Sequence, residues 1–238
     1  MNNSEFLDKL VNSFIVCMQT SPRSNEKLKI LHGAIASDLA NILGNNFTIQ
    51  SLGYGAGKEG NIRGRYIDKV VDITVSSKSG ILAGIGVKFV MSNYSQNSNN
   101  YFENMLGETA NIRCGKVPYF QVLVLPEKLP YFKSNGEIEK WEEITLHNLS
   151  KYVTLSKDDE NIYLHTPIKT LLYLIKIPEY GMSSLQRKED LTGHFIRSRA
   201  GISFVLSNLL NDSELGRTVI LNDYETFRDK FINYVKSI

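Results

Sequence analysis

The sequence predicts an α/β protein with a central mixed β-sheet flanked by helices and followed by a C-terminal helical layer. Three strand-like segments support this prediction, at 66–75, 81–90 and 119–126. A long polar segment at 93–113, typical of a helix, separates the second strand from the third. Amphipathic stretches with three- and four-residue apolar spacing lie near both ends of the chain and predict further helices.

Size and composition predict one domain. The chain has 238 residues, of which 42% are hydrophobic and 22% charged, so it can bury a large core. We place the core of this domain at about 46–126, with N-terminal helices at 4–44 and a C-terminal hairpin and helical part at 127–238. The 27 basic and 25 acidic residues leave a net charge of +2. Any affinity for nucleic acid must therefore come from the distribution of charge.

Cysteine usage and hydropathy bear on the compartment. Cys17 and Cys114 have no partners at metal-ligand spacing and form no set of disulfide pairs, which is typical of a reducing compartment. The first residues do not have the pattern of a secretion signal, and no apolar run approaches the ~18 residues of a membrane span. We expect a cytoplasmic protein without a membrane segment.

Two helices are predicted before the first strand. Residues 4–18 carry an apolar stripe, and a second stripe at 28–42 follows Pro22 and ends near Gly44. His32 and Asp38 lie on this second helix. We interpret both as surface or cap-side polar residues, although an acidic residue here could join a metal site.

A glycine-rich loop at 53–65 follows a predicted strand at 46–52. It contains five glycines and the cations Lys58, Arg63 and Arg65. A phosphate-binding P-loop is excluded, because the glycine spacing is one residue short and Glu59 follows the lysine. Two interpretations remain equal: a flexible connection, or a mobile basic loop that contacts a phosphate backbone.

Four features are predicted after the 119–126 strand. Asn135-Gly136 indicates a tight hairpin, and Thr166-Pro167 begins an apolar helix that Pro178 ends. The basic segment 187–199 is most simply a solvated face, with phosphate contact as the less favoured alternative. Asn222 and Glu225 have the spacing of a capping box before a final helix.

Asp72 and Lys88 are the first candidates for catalysis. They are 16 residues apart, and the turn at 76–80 would place them on adjacent antiparallel strands. A carboxylate can hold a hard cation, and a lysine can stabilise the charge of a reacting phosphate. The arrangement Asp72-Ile-Thr-Val, turn, Ile-Gly86-Val-Lys88 resembles the PD-(D/E)XK nuclease superfamily, the fold of most type II restriction endonucleases. The resemblance covers roughly 50 to 60 residues.

The resemblance is incomplete at two positions. Gly86 stands where the family has a second acidic residue, and Val71 stands where it has a proline. Some restriction endonucleases carry that glutamate on the following helix, and the sequence offers Glu103 and Glu108 there. The two glutamates are five residues apart, hence about 140° around a helix, and are not expected to share one face. We favour Glu103, so the resemblance implies that Asp72 and Glu103 bind Mg²⁺.

The predicted helix after Lys88 is unusually rich in amide side chains. Asparagine and glutamine can pair with adenine, and arginine with guanine, in the major groove. Such residues disfavour a helix when exposed, so we infer that they serve DNA contact. With the cations of the glycine-rich loop, the predicted DNA-binding residues are Lys58, Arg63, Arg65, Asn93, Gln96, Asn97, Asn99, Asn100, Asn104 and Arg113.

The sequence therefore predicts a Mg²⁺-dependent, sequence-specific double-stranded DNA endonuclease that resembles a type II restriction enzyme. A homodimer is expected if the target is palindromic, because two-fold symmetry places one active site on each strand. Two alternatives remain open: a catalytically inactive DNA-binding protein that retains the fold, favoured by Gly86, and a protein-interaction scaffold.

Overall fold

The structure is a computed structural model that describes residues 1–20, 24–178, 184–198 and 201–238. In these ranges the helices are α1 Asn3–Gln19, α2 Glu26–Leu43, α3 Tyr94–Cys114, α4 Leu146–Ser156, α5 Lys188–Arg197 and α6 Tyr224–Ser237. The strands are β1 Thr48–Ser51, β2 Gly60–Arg63, β3 Asp68–Val71, β4 Ile73–Ser77, β5 Gly80–Phe89, β6 Tyr119–Pro126, β7 Lys128–Phe132, β8 Ile138–Glu143, β9 Thr170–Lys176, β10 Val205–Leu206 and β11 Val219–Leu221.

A mixed central sheet organises the domain. Its strand order is β1-β4-β5-β6-β9-β10, and β11 also pairs with β9. The pairs β1–β4, β4–β5 and β9–β10 are antiparallel, whereas β5–β6, β6–β9 and β9–β11 are parallel. The predicted α/β class with a mixed sheet is thus confirmed. Two small hairpins, β2–β3 and β7–β8, lie outside the central sheet.

Helices from both ends of the chain form one layer. Helix α1 contacts α2, α5 and α6. The ring of Phe14 on α1 meets the rings of Phe89 and Phe195 at centroid distances of 6.4 and 5.1 Å. On α6, Phe231 packs edge-to-face against Phe120 of β6. The predicted C-terminal helical layer is therefore shared with the N-terminal helices, because their apolar faces cover the same sheet.

The predicted helix after Thr166-Pro167 is wrong, because this segment forms strand β9. Residues 170–175 are all buried, and β9 lies between β6 on one side and β10 and β11 on the other. A strand covered on both faces has a continuous apolar run, which periodicity cannot distinguish from a buried helix. The tight turn of the hairpin is confirmed at Gly136, whose φ is +85°.

Several smaller predictions changed. Part of the glycine-rich loop, Gly60–Arg63, is strand β2, and the predicted strand 66–75 is divided at Asp72 into β3 and β4. Helix α4 is not among the predicted elements. Pro22 and Arg199 lie outside the described residues. Among the described helices, none is long and apolar enough to cross a membrane.

The predicted capping box at the final helix is also wrong. The N-cap of α6 is Asp223, whose side chain accepts a hydrogen bond from the Thr226 amide at 3.0 Å. Asn222 instead has φ +52° and joins two other segments. Its Oδ1 accepts from the Leu174 amide of β9 at 2.6 Å, and its Nδ2 donates to the Ser207 carbonyl at 3.0 Å. Asn222 thus links β9 to the segment that follows β10.

Replacing Asn222 by alanine should lower the free energy of unfolding by about 2 kcal/mol, because a buried amide loses its acceptor and alanine disfavours positive φ. Asn222→Gly keeps the backbone conformation and should lower it by about 1 kcal/mol. Urea unfolding measures both, with Asn61→Ala on exposed β2 as the control. Equal stability of the Asn222→Ala and Asn61→Ala variants would show that this bridge contributes nothing.

Candidate active site

Asp72 occupies the break between β3 and β4. Its backbone is held there by Ser51, whose hydroxyl donates to the Asp72 carbonyl oxygen at 2.7 Å. Its carboxylate faces β5, where Oδ2 accepts a hydrogen bond from the Val87 amide at 2.6 Å. Strands β4 and β5 are antiparallel, as predicted, so the carboxylate lies beside the residue that precedes Lys88.

The surroundings of Asp72 disfavour its charged form. Burial, together with the nearby Glu108 carboxylate, raises the pKa of its carboxyl group to about 6. The Val87 amide, Lys88 and Lys69 oppose this increase. A carboxylate whose pKa is raised in a cleft is typical of functional sites.

All four predicted catalytic residues line one cavity of about 550 Å³. Asp72 and Lys88 reach it from the sheet, and Glu103 and Glu108 reach it from α3. The two glutamates were not expected to share one face of α3, yet both line the cavity, because its wall includes residues of α3 from Tyr101 to Asn111. Asp72 and Glu108 are 36 positions apart in the sequence, and the fold brings both to the same cavity.

Lys88 is exposed at the cavity and is held by an aromatic ring. Its Nζ lies 4.3 Å from the centroid of the Tyr101 ring, a cation–π distance. Burial lowers the pKa of Lys88, while Asp72 raises it. Among the described residues, no carboxylate oxygen lies within ion-pair distance of the Lys88 ammonium group, which lines the cavity.

Glu108, not Glu103, is the glutamate whose charge acts on Asp72. Its Oε2 pairs with Lys69 Nζ at 2.8 Å, and its Oε1 accepts a hydrogen bond from the Tyr119 hydroxyl. Glu103 is exposed on the same cavity and interacts electrostatically with Lys151 of α4. The geometry therefore favours Glu108 as the acidic partner of Asp72, where the sequence favoured Glu103.

The space that an acidic side chain at position 86 would need is filled. A Cβ added to Gly86 would collide with the Tyr119 hydroxyl and lie 2.8 Å from both amide atoms of Gln121. The Tyr119 hydroxyl is the group that donates to Glu108. The Tyr119 hydroxyl therefore occupies the space beside Gly86 and links β6 to Glu108 of α3.

Gly86→Ala should lower the free energy of unfolding by about 1–3 kcal/mol, because the added methyl group overpacks this wall of the cavity. Gly107 provides a matched control on the same cavity: a Cβ there meets nothing within 4 Å. Gly107→Ala should raise the stability of α3 by up to about 1 kcal/mol through helix propensity. Thermal unfolding of both variants tests the contrast, and unchanged stability of Gly86→Ala would contradict it.

A group of possible metal ligands lies beside Asp72 that the sequence did not predict. One ligand atom each from His32, Glu59 and Asp72 lies within 4.8 Å of the others. His32 Nδ1 is buried 3.8 Å from Asp72 Oδ1 and has no hydrogen-bond partner among the described residues. Burial lowers the pKa of His32 to about 4, so its imidazole is neutral near pH 7. Burial and Asp72 raise the pKa of Glu59.

A close approach of two glycines brings this group together. A Cβ on Gly33 would lie 2.6 Å from the Gly53 carbonyl oxygen, so only glycine lets the glycine-rich loop rest on α2. Gly53 itself has φ +75°. The loop then carries Glu59 to His32, the neighbour of Gly33. The residue of this loop that joins the possible metal ligands is therefore its acid, Glu59.

His32 and Asp38 are buried, and their interpretation as surface or cap-side residues is wrong. Asp38 accepts hydrogen bonds from the amino terminus of Met1 and from the Tyr224 hydroxyl. Arg228 lies 3.7 Å from its Oδ2. Asp38 therefore joins α1, α2 and α6 and does not belong to the metal-ligand group. A polar residue such as His32 on the apolar stripe of a helix was the available signal.

Three predicted DNA-binding residues form hydrogen bonds with backbone groups of the protein. Asn93 donates to the Phe132 carbonyl and accepts from the Phe132 amide, at 3.1 and 3.0 Å. Asn97 donates to the Asn93 carbonyl at 3.3 Å. Arg113 is half-buried and donates to the Tyr163 and Thr166 carbonyls. These groups satisfy backbone atoms, so they are not presented to a ligand.

The other predicted DNA-binding residues are exposed. Two of them also accept a hydrogen bond from another side chain: Gln96 from the Tyr131 hydroxyl at 3.1 Å, and Asn99 from Lys151 at 3.2 Å. On α3 they recur every three or four residues and form one row that ends at the cavity, where Asn104 and Glu103 both line the wall. The row consists of Gln96, Asn99, Asn100, Glu103 and Asn104. Lys58 is exposed on the glycine-rich loop, and Arg63 and Arg65 line a separate cavity with Lys116.

Comparisons with known proteins give no match: no family model, no curated protein and no solved structure matches this chain.

Asp72→Asn should stabilise the metal-free protein at pH 8. The pKa of Asp72 is about 6 when folded and near 4 when unfolded, so the folded state binds more protons between these values. Ionisation of Asp72 therefore lowers stability as the pH rises from 4 to 6. The side chain is 31% exposed, which reduces the expected gain to about 1 kcal/mol.

Urea unfolding in EDTA at pH 4 and pH 8 measures this effect. The gain should be present at pH 8 and absent at pH 4. The pKa of His32 is lowered in the folded state, so protonation of His32 destabilises the protein as the pH falls. This effect is present in both proteins and does not contribute to the difference between them. Asp68→Asn, at an exposed aspartate that begins β3, is the control. If the Asp72→Asn variant were less stable than the wild type at pH 8, the ionised carboxylate would not destabilise the folded protein, and the prediction would be wrong.

Proposed function

We propose that this protein is a divalent-metal-dependent endonuclease that hydrolyses phosphodiester bonds in double-stranded DNA. One observation supports the proposal most: Asp72, Lys88 and Glu108 line a single cavity, and His32 and Glu59 adjoin the carboxylate of Asp72. The order of the elements adds to it, since antiparallel β4–β5 is followed by α3 and by β6 parallel to β5. That order resembles the PD-(D/E)XK nuclease core.

The donor set fits a divalent cation. His32 Nδ1 is a buried neutral nitrogen without a partner, and Glu59 and Asp72 supply oxygens close to it. The raised pKa values of both carboxyl groups indicate that a positive charge is favourable between them. Carboxylate oxygens suit Mg²⁺, the cofactor that we propose, and the imidazole extends the fit to Mn²⁺. Such a cation would lower the pKa of a bound water and offset the charge of the phosphate.

The residues of the chain have distinct roles in this proposal. Asp72, Glu59 and His32 hold the cation. Lys88, oriented by Tyr101, stabilises the negative charge that develops on the reacting phosphate. Glu108 accepts a hydrogen bond from the Tyr119 hydroxyl and forms an ion pair with Lys69. It contributes negative charge to the cavity that Lys88 also lines. Glu103 remains the alternative acid on the open side of the cavity.

DNA contact is assigned to the exposed row on α3. Amides along one helix face can reach base edges, and this row leads directly to the proposed reaction site. The exposed cations Lys58, Arg63 and Arg65 would contact phosphates outside the cavity. A homodimer would match a palindromic target, since two-fold symmetry presents one site to each strand.

A second candidate function has its own support. Tyr119 fills the position of the missing carboxylate, and Lys69 neutralises part of the charge of Glu108. A protein in which these contacts replace catalysis would bind DNA without cleaving it. Such a protein would still show salt-dependent DNA binding, because phosphate contacts release counterions.

Incubation of plasmid DNA with the protein and Mg²⁺ or Mn²⁺ tests the two functions. We expect discrete fragments from the wild type, and a loss of on the order of 10²–10³-fold in rate for Asp72→Asn and for Lys88→Met, because each removes one electrostatic contribution to the transition state. Glu108→Gln should lose more activity than Glu103→Gln. Glu139→Gln, exposed on β8, is the matched control.

The outcomes separate the candidates. Binding of DNA without cleavage in either metal would support the second function. Equal activity of the Glu108→Gln and wild-type proteins would remove Glu108 from the site. Absence of salt-dependent binding to any DNA would contradict both functions.

A further inference from the structure

A second cavity of about 530 Å³ lies next to the one that contains Asp72. Lys88 and Tyr101 line both cavities, so the two meet at the predicted catalytic lysine. The walls of the second cavity come from the end of α1, the start of α2, the end of β5, the β7–β8 hairpin and the start of α5. A ligand that leaves the first cavity past Lys88 therefore enters the second.

Four lysines line this second cavity: Lys27, Lys88, Lys133 and Lys188. Among the described residues of its wall, none is acidic. The Nζ of Lys188 donates to the neutral carbonyl of Thr20 at 3.2 Å, which fixes its position without cancelling its charge. Lys133 pairs with Glu137 at 3.2 Å, at an exposed site where such a pair is weak. The cavity therefore has a positive potential and suits an anionic ligand.

The fields of these lysines are felt by neighbouring groups. Lys27 lowers the pKa of Lys88, as like charges do at short range. Burial raises the pKa of the Cys17 thiol, and Lys27 and Lys188 oppose that increase. Lys27 thus lies near both Lys88 and Cys17, which line the same cavity.

Aromatic rings alternate with the lysines. Phe89, Tyr101 and Phe132 are half-buried and line the same cavity. Proteins that bind single strands combine a cationic groove with aromatic faces on which bases stack. The volume is in the range of small-ligand pockets, so the cavity admits part of one strand but not a duplex.

We propose that this lysine-lined cavity binds an unpaired DNA strand adjoining the duplex at the cleavage site. The inference rests on the proposed nuclease function and makes its substrate more specific: duplex DNA with a single-stranded extension, whose phosphates contact the lysines and whose bases stack on the aromatic rings. Lys88 stands at the border between the reacting phosphate and the unpaired strand.

Fluorescence anisotropy in EDTA, without cleavage, tests the proposal with two labelled DNAs: a blunt duplex and the same duplex with a short single-stranded extension. We expect wild-type protein to bind the extended duplex more tightly. Lys133→Gln combined with Lys188→Gln should weaken its binding on the order of tenfold and reduce the slope of log K against log salt by about 1.4, at ~0.7 per single-strand phosphate contact. Binding of the blunt duplex should change little.

Two controls exclude other causes. Lys230→Gln combined with Lys236→Gln removes the same charge from exposed α6 and should leave both affinities unchanged. Lys133→Gln alone, which keeps the Lys188 contact to Thr20, should give a smaller loss on the extended duplex only. Thermal unfolding of each variant verifies that it is folded.

The result that overturns the proposal is equal binding of the two DNAs by the wild type, or an equal loss on both in the double variant. Cleavage is scored separately with Mg²⁺ and Mn²⁺. A preference for the extended duplex without cleavage would remove the proposed nuclease function and keep the single-strand site. Cleavage without that preference would keep the nuclease function and remove the site.

Discussion

The hydrogen bond from the Val87 amide to Asp72 is the contact on which the site depends. It joins a carboxylate at the break between β3 and β4 to the C-terminal end of β5, and so fixes the distance between Asp72 and the residue before Lys88. The bond stabilises the charged carboxylate, but burial and the acids around it act against that charge. A divalent cation beside Asp72 would reverse this balance, because it favours every ionised carboxylate near it.

The acidic side of the cavity is built from an unusual set of elements. Position 86 has no room for a carboxylate, since the Tyr119 hydroxyl and the Gln121 amide occupy the space. Glu108 reaches the same region from α3 and binds that hydroxyl. On the other side of Asp72, the contact between Gly33 and Gly53 brings Glu59 to His32. The groups around Asp72 thus come from a helix, a loop and a second helix.

Local pattern was enough for most elements and for part of the site. The strand 119–126 has the predicted bounds, because an apolar run flanked by turn residues indicates a buried strand. The same kind of run at 170–176 predicted a helix, because full burial removes the alternation that would identify a strand. Asp72 and Lys88 were found by their spacing around one short turn. His32 and Glu59 were not, because their proximity depends on a contact between distant segments.

Side-chain amides could not be divided into structural and exposed groups from the sequence. Asn93 and Gln96 are both polar residues near the start of α3, yet Asn93 holds the backbone of Phe132 and Gln96 faces outward. An asparagine at positive φ satisfies nearby backbone groups easily, and its φ of +52° is a property of the folded chain. The exposed row became visible only when the burial of α3 was known.

The low net charge conceals two opposite fields that meet at Lys88. On one side lie Asp72 and Glu108, and on the other side lie Lys27, Lys133 and Lys188. In the proposed function, the first region would attract a cation and the second would attract phosphates, so a nucleic-acid strand would be oriented before any base is contacted. The total of +2 sums 27 basic and 25 acidic residues over the whole chain, so it carries no information about either region. The fold separates the two regions, and this separation would orient a bound strand relative to Lys88.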